Sequence, residues 1–386
     1  MAITPPLYED EHEAFRDVVR EFVRREVTDN LARWDADRLI DRDVWRAAGK
    51  QGLLGLAVDE AHGGGGTRDY RYRCVVNDEL TAVGATALNL SFALQDDIVL
   101  PYLLEHADAE QRLRWLPGMC QGELIGAIAM SEPGAGSDLR GITTTARRDG
   151  EDWVLSGAKT FISNGINADL VVTAARTSDA QDRPSVGLFV VERDMPGFTR
   201  GRKLDKIGMV AQDTAELFFD DVRVPAANVL GDPHHGLRYL MTHLPLERLS
   251  IAVGAIGAAR SALDWTVGYV QQRRAFGIPL ADQQTIRFTL AELTTELEVT
   301  GGYVDDAVRA YNAGDLTAVD AAKVKWWTTE FQKRLVDRCL QLFGGYGYMA
   351  EYPIARAYVD ARVQTIYGGT TEIMKTIIGR DIVGRR

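Results

Sequence analysis

Cysteine is scarce: the chain of 386 residues has only Cys74, Cys120 and Cys339, and no two of them form a CxxC pair. That argues against a disulfide framework or a cysteine-rich zinc centre and suits a reducing, cytoplasmic setting. The six histidines include no HExxH. His234-His235, beside Asp232 and Pro233, reads as a polar loop rather than a metal site. Basic charge is in deficit, with 44 Lys and Arg against 55 Asp and Glu and a net charge of -11. This counts against a nucleic-acid-binding surface. No uninterrupted apolar run reaches the roughly 18 residues of a membrane span. The start, MAITPPLYEDEHEAF, is acidic and lacks the apolar stretch of a secretory signal. A GxGxxG after a strand is missing, as is strict βαβ alternation, which disfavours a Rossmann domain. No internal repeat or low-complexity tract is apparent.

What is present is ample core material, 46% hydrophobic residues against 26% charged. The length admits two or three domains at roughly 100–200 residues each. Up to about residue 120 the pattern is helical. Phe15, Val18, Val19, Phe22 and Val23 recur at a spacing of three and four. Val44–Leu56 and Ala109–Leu116 read the same way, and the glycine run His62–Gly66 reads as a surface turn. From about Leu124 to Leu230 short β-type runs take over, at Asp169–Thr173, Val186–Val191 and Glu216–Phe219. Turn clusters at Arg148–Asp152, Ser178–Pro184 and Asp194–Gly197 separate them, which predicts a β-sandwich or barrel. After Gly236, the segments His243–Val270, Asp282–Asn312 and Leu316–Leu342 predict long helices of an antiparallel bundle. Trp326, Trp327 and Phe331 read as core or subunit interface. The plan is an α+β chain divided at residues 1–123, 124–235 and 236–386.

Three segments carry chemistry. In Ala129-Met-Ser-Glu-Pro-Gly-Ala-Gly-Ser-Asp-Leu-Arg-Gly141, Gly134 and Gly136 let backbone N–H groups turn toward a ligand while Ser131 and Ser137 add hydroxyls. Taken alone, this segment describes a structural turn equally well. Gln341-Leu-Phe-Gly-Gly-Tyr-Gly-Tyr-Met-Ala-Glu-Tyr-Pro-Ile-Ala-Arg356 ends a long helix where glycine permits close backbone approach to a cofactor, or simply a helix–helix turn. Ile366-Tyr-Gly-Gly-Thr-Thr-Glu-Ile373 places a glycine break before a helix that Thr370 caps or uses to bind a ligand.

Together, in an α–β–α chain of this length, these segments resemble the acyl-CoA dehydrogenase family from end to end. Phe161-Ile-Ser-Asn164, Ala211-Gln-Asp-Thr-Ala-Glu216 and Arg273-Arg-Ala-Phe-Gly277 add to the match. The nearest likeness is to the long-chain type, through Gly201-Arg-Lys-Leu204, Leu246-Glu-Arg-Leu249 and Tyr358–Ile373. The resemblance implies an N-terminal helical domain, a central β domain and a C-terminal four-helix bundle, assembled as a homotetramer. It implies FAD between the β domain and the bundle. Ile128, Met130, Ser131, Gly136 and Ser137, with Phe161, Ile162 and Ser163, would meet the flavin from the β domain. Thr370, Thr371 and Glu372 would approach it from the C-terminal helix. Arg273, Phe276 and Gln284, with Gln341, Leu342, Gly344 and Gly345, would hold the pyrophosphate and adenosine part of a neighbouring subunit's cofactor. Arginine supplies forked donors to phosphate, although Arg273 on its own also fits a pairing with surface carboxylates.

The implied reaction removes an α-proton and a β-hydride from a saturated acyl-CoA, giving trans-2-enoyl-CoA, as in fatty-acid β-oxidation. Electrons would pass to an electron-transfer flavoprotein. The base must sit in a dry pocket, where desolvation raises a carboxylate toward working pH. Many family members carry that glutamate in Tyr-Glu-Gly-Thr, but this chain reads Tyr367-Gly368-Gly369-Thr370. Pro245-Leu246-Glu247-Arg248 matches the position where the long-chain and isovaleryl types place the base, so Glu247 is expected to be catalytic. On periodicity alone Glu247 reads as a surface carboxylate paired with Arg248 or Arg238. Gly368 keeps its N–H to polarise the thioester carbonyl. Arg248 and Ser137 would touch the CoA portion, while Pro245, Leu246, Tyr367 and Gly369 flank the substrate. The missing side chain at 368 is expected to leave extra room for branched acyl groups. Arg238 stands where the long-chain type has a tyrosine, and Leu90–Val99, with Asp96-Asp97, should line the acyl tail. Alternative readings are a dehydrogenase of a carrier-protein-bound or short branched acyl group, a flavin monooxygenase or oxidase relative, and a non-catalytic cofactor-binding subunit.

Overall fold

The computed structural model describes residues 6–178 and 184–384; most of the expected Ser178–Pro184 turn falls on 179–183, outside the described residues. The first third is helical: α1 Asp10–Phe22, α2 Leu31–Asp37, α3 Arg42–Lys50, α4 Arg71–Ala82, α5 Thr86–Ala93, α6 Leu100–His106 and α7 Ala109–Cys120. α7 starts on a capping box, Asp108 accepting from Gln111 N at 2.8 Å and Gln111 returning the bond at 3.0 Å. The helix expected over Val44–Leu56 stops at Lys50. Gly52 takes φ 71 and turns the chain. Leu53 and Leu54 still enter the core, from a turn rather than a helix, which is why their spacing misleads.

The strands are β1 Gly126–Ala129, β2 Thr145–Asp149, β3 Asp152–Ser163, β4 Leu170–Ser178, β5 Pro184–Glu192, β6 Phe198–Lys203 and β7 Thr214–Val224. They form one seven-stranded sheet in the order β1-β4-β2-β3-β7-β6, with β5 added on β4. The Arg148–Asp152 turn is the β2–β3 hairpin, closed at Gly150 with φ 67. β4 and β5 are apolar on both faces because both faces are covered. Leu170, Val172 and Ala174 pack on helical residues such as Leu103 and Leu116. Val171, Ala175, Phe189 and Val191 pack within the curled sheet on Trp153 and Leu217.

The last third begins with α8 Gly236–Gln272, which starts seven residues before the expected His243. A hairpin of β8 Arg274–Ala275 and β9 Ile278–Pro279 follows. Then come α9 Gln284–Ala313, α10 Ala318–Phe343, α11 Pro353–Ala361 and α12 Thr371–Val383. Leu249, Ile256 and Leu263 of α8 meet Leu293 and Val304 of α9 and Phe331 and Leu335 of α10 in one core. Phe331 is thus core, as read, whereas Trp327 is half-exposed. Thr317 and Thr370 cap α10 and α12 through Asp320 N and Ile373 N. No helix among the described residues is long and apolar enough to cross a membrane.

Candidate active site

Glu247 is placed by α8, two residues after Pro245 interrupts that helix's hydrogen-bond ladder. Its carboxylate is buried, and Tyr102 of α6 donates to it at 3.0 Å. Neither Arg248 nor Arg238 forms a salt bridge with it among the described residues, so the surface ion pair suggested by periodicity does not form. Burial raises the carboxyl from its ordinary 4.5 to about 7, with the Tyr102 bond and the Arg248 charge pulling the other way. Arg248, also buried, turns to the loop before α12 and donates from Nε to Gly368 O at 3.4 Å.

That loop needs glycine twice. Gly368 and Gly369 have φ 62 and 98, in the region that side chains rarely adopt. Lys325 of α10, fully buried, donates to Gly369 O at 2.8 Å, and burial lowers its ammonium to about 8. A Cβ at Gly368 would meet Ile251 Cδ1 at 2.2 Å. The extra room expected there is therefore absent, because Ile251, one turn beyond Glu247 on the same helix face, fills it. Tyr367 bonds Gln364 at 2.8 Å, and Thr371 bonds Glu330 at 2.9 Å. Glu372 stands exposed in the first turn of α12. Pro245 and Leu246 are half-buried, Leu246 against the bundle core.

On the sheet side, Met130 and Ser131 are tied to β3. Thr160 N donates to Ser131 O at 2.9 Å and Lys159 Nζ to Met130 O at 3.1 Å. Lys159 also pairs with Glu132 at 2.9 Å, both side chains buried. Hydrogen bonds from Thr143, Thr144 and Lys159 hold the Glu132 carboxyl down at about 2 against its own desolvation. The register of β3 slips between Lys159 and Ile162, where Phe161 takes φ 59. That bulge turns the Phe161 ring outward, 70% exposed. Ile128 and Ile162 put their side chains into core, so only their backbones are free to meet a ligand. Ser163 is half-buried, while Gly136 and Ser137 are exposed, with nothing within 4 Å of a Cβ at Gly134 or Gly136.

A separate groove of about 620 Å³ lies at the far end of α8, lined by Arg273, Gln341, Leu342, Gly344, Gly345 and Tyr346 among others. Arg273 has its guanidinium 5.4 Å from the Tyr346 ring centroid. Phe276, 98% exposed on the β8–β9 turn, and Gln284, exposed at the start of α9, lie outside its lining. Arg238 is exposed over the Tyr239 ring rather than beside Glu247. Asp97 is held by Tyr70, Ser250 and Arg73, and Asp96 by Gly55 N at 3.0 Å, so both are committed to packing. Sequence reading missed Tyr102, Ile251, Lys325 and the Glu132–Lys159 pair. Glu132 sits in the Ala129–Gly141 segment but the others sit in no motif, and Tyr102 lies 145 residues from its partner.

The family models for the acyl-CoA dehydrogenase N-terminal, middle and C-terminal domains match residues 9–123, 127–222 and 234–383. The chain is 48% identical over 379 residues to a mitochondrial long-chain specific acyl-CoA dehydrogenase of Sus scrofa, covering 98% of this chain and 87% of that one. A mitochondrial isovaleryl-CoA dehydrogenase of Oryza sativa is 35% identical, covering 97% and 92%. Among solved structures, an acyl-CoA dehydrogenase from Geobacillus kaustophilus superposes with TM-score 0.94 at 46% identity, covering 97% and 99%. A glutaryl-CoA dehydrogenase of Mycobacterium smegmatis in complex with FADH2 gives 0.91 at 30%, covering 98% and 96%. A structure described as an electron transferring flavoprotein of Acidaminococcus fermentans gives 0.91 at 29%, covering 98% and 99%.

Proposed function

The chain belongs to the acyl-CoA dehydrogenase family, and we propose that Glu247 is the base that takes the α-proton of its acyl-CoA substrate. The enzyme is an FAD-dependent oxidoreductase of fatty-acid metabolism that converts a saturated acyl-CoA to the trans-2-enoyl-CoA. The likeness to long-chain enzymes supports a long acyl chain and an electron-transfer flavoprotein as acceptor.

The carrying observation is the buried Glu247 carboxyl at about 7 on a helix whose neighbouring residues Arg248 and Ile251 meet the Gly368–Gly369 loop. At that value it is substantially ionised at neutral pH yet still basic enough to accept a carbon-bound proton. Tyr102 steadies the anion. The Gly368 N–H donates to the thioester oxygen as negative charge develops there, an interaction stronger in the transition state than in the ground state. The Cα–H electron pair becomes the new Cα=Cβ bond. FAD, when bound, accepts the hydride that leaves Cβ.

The residues fit such a cofactor. The open backbone at Gly134 and Gly136 and the outward Phe161 ring offer a polar edge and an apolar wall for a flat heterocycle. Met130, Ser131, Ser137 and Ser163 are assigned to that face, and Thr370, Thr371 and Glu372 to the other. Arg273, Gln341, Leu342, Gly344 and Gly345 are assigned to the pyrophosphate and adenosine, with Phe276 and Gln284 completing the grip in a homotetramer. Arg248 and Ser137 take the CoA part, flanked by Pro245, Leu246, Tyr367 and Gly369. The functional units are taken as 1–123, 124–235 and 236–386, supported by strands replacing helices after Cys120 and helix returning at Gly236. Three free, buried cysteines suit the reducing cytoplasm.

Anaerobic addition of acyl-CoAs of graded length to the yellow protein tests the reading. Long-chain acyl-CoA bleaches the flavin, and Glu247→Gln keeps the flavin while slowing bleaching at least about 10²–10⁴-fold. Bleaching of that variant at the wild-type rate would remove Glu247 as the base.

A further inference from the structure

We propose that Glu105 and His106, at the end of α6, and His243, on α8, form a binding site for a transition-metal ion of the zinc class. The three lie together although 137 residues separate the two histidines. His106 Nε2 is 3.2 Å from His243 Nε2, and His243 Nε2 is 3.6 Å from Glu105 Oε2. Ligand atoms about 2.0–2.1 Å from one tetrahedral zinc ion lie about 3.3–3.4 Å from each other. Both measured separations bracket that value, and all three donor atoms fall within 4.8 Å of one another. A nitrogen–nitrogen–oxygen set leaves the fourth position to water. It faces solvent, because the Glu105 side chain is 56% exposed and His106 is half-buried.

The surroundings hold the rings in place. His106 stacks on Tyr239 at 3.9 Å between centroids, and His243 packs on Tyr102 at 4.3 Å. Burial pushes both imidazoles below their ordinary range, His243 to about 4, so both are neutral ligands at pH 7. Glu105 supplies the negative charge. Arg238 is the opposing group, its positive charge also acting on His106. Two imidazoles select zinc, nickel or copper over magnesium and calcium. His243 is one turn before Glu247 and packs on Tyr102, whose hydroxyl bonds Glu247.

The FAD-loaded enzyme, stripped with a chelator and desalted, is titrated with Zn²⁺ in competition with a chromophoric chelator. This readout is independent of turnover. One ion binds per chain. His106→Gln and Glu105→Gln, both at accessible side chains, each weaken binding at least about tenfold. Arg238→Gln tightens it, His62→Gln leaves it unchanged, and a thousandfold excess of Mg²⁺ does not compete. The retained yellow spectrum shows that each variant is folded. Equal zinc affinity in the wild type and both ligand variants, or no one-to-one binding at all, overturns the site and leaves the two histidines as a hydrogen-bonded pair.

Discussion

Glu132 and Glu247 are both buried carboxylates, and their surroundings drive them in opposite directions. Hydrogen-bond donors on Thr143, Thr144 and Lys159 hold Glu132 at about 2, a fixed anion that staples one loop to β3. Glu247 has a single side-chain donor, and burial carries it to about 7. Such divergence separates a structural carboxylate from a working base. The value alone does not identify the base, since burial also takes Asp96 to about 7. Asp96 is bound to Gly55 N, whereas Glu247 stands between Arg248, which bonds Gly368 O, and Ile251, which packs on Gly368, and that placement supports the proposed base. kcat/KM for flavin reduction rises with pH through about 7, because the base works only when ionised. Tyr102→Phe removes a bond that favours the anion, so this limb moves to higher pH; an unmoved limb would show that Tyr102 does not tune Glu247. Stability runs the other way. A carboxyl whose folded value exceeds 4.5 contributes fully below 4.5, and that contribution is lost as pH rises through about 7. Glu247→Gln, which cannot ionise, gains over the wild type on the order of 3 kcal/mol at pH 8 and little at pH 4, because the wild-type carboxyl is raised from 4.5 to about 7. Denaturation curves at the two pH values measure the difference.

Among the elements, α8 and the loop before α12 are made for each other. Glu247 and Ile251 lie four residues apart on one face of α8, one supplying the carboxylate and the other occupying the space a side chain at 368 would need. With Glu247 as the proposed base, its place on α8 and the filling of the volume at 368 are thus one packing arrangement. Gly368→Ala therefore clashes with Ile251 and strains φ 62 together. Ile251→Ala alone costs about 2–5 kcal/mol as a cavity. In the double variant the losses are less than additive, because the cavity accepts the new methyl. Strict additivity of the melting shifts would show that Ile251 does not set that wall. This coupling was not legible in the sequence, whereas much else was. The β2–β3 hairpin could be read from Arg148–Asp152, and the α12 start from Thr370. Local chemistry closes those turns and caps, so local sequence reports them. Lys159 and Glu132 are 27 residues apart, Tyr102 and Glu247 145. Only the tertiary fold joins such pairs, and no spacing rule encodes it. The overlong α3 has the same cause, for Leu53 and Leu54 satisfy the core's demand for apolar groups without being helical.

At the scale of the whole molecule, α8 sets a distance. Glu247 and Arg273 are 26 residues apart along that helix and its cap (273 minus 247), or about 39 Å at 1.5 Å per residue. A single dinucleotide does not span that separation, so the Arg273 groove and the Glu247 pocket of one chain cannot hold the same cofactor. Close in sequence to the groove's lining residues, Phe276, Tyr348 and Phe288 are 98%, 85% and 57% exposed. Exposed aromatics of that size mark a face that another protein surface covers. The homotetramer proposed above would place both facts in one arrangement, in which each groove grips the cofactor that serves a neighbour's base. Subunit mixing tests this. Arg273→Ala weakens flavin binding and Glu247→Gln abolishes proton abstraction, so each variant alone reduces little flavin at limiting FAD. Co-expressed in equal amounts, about a quarter of the sites combine an intact base from one chain with an intact groove from its neighbour, and activity returns in that proportion. If both residues served one site within one chain, every site would carry a defect, and the mixture would be no more active than its parts.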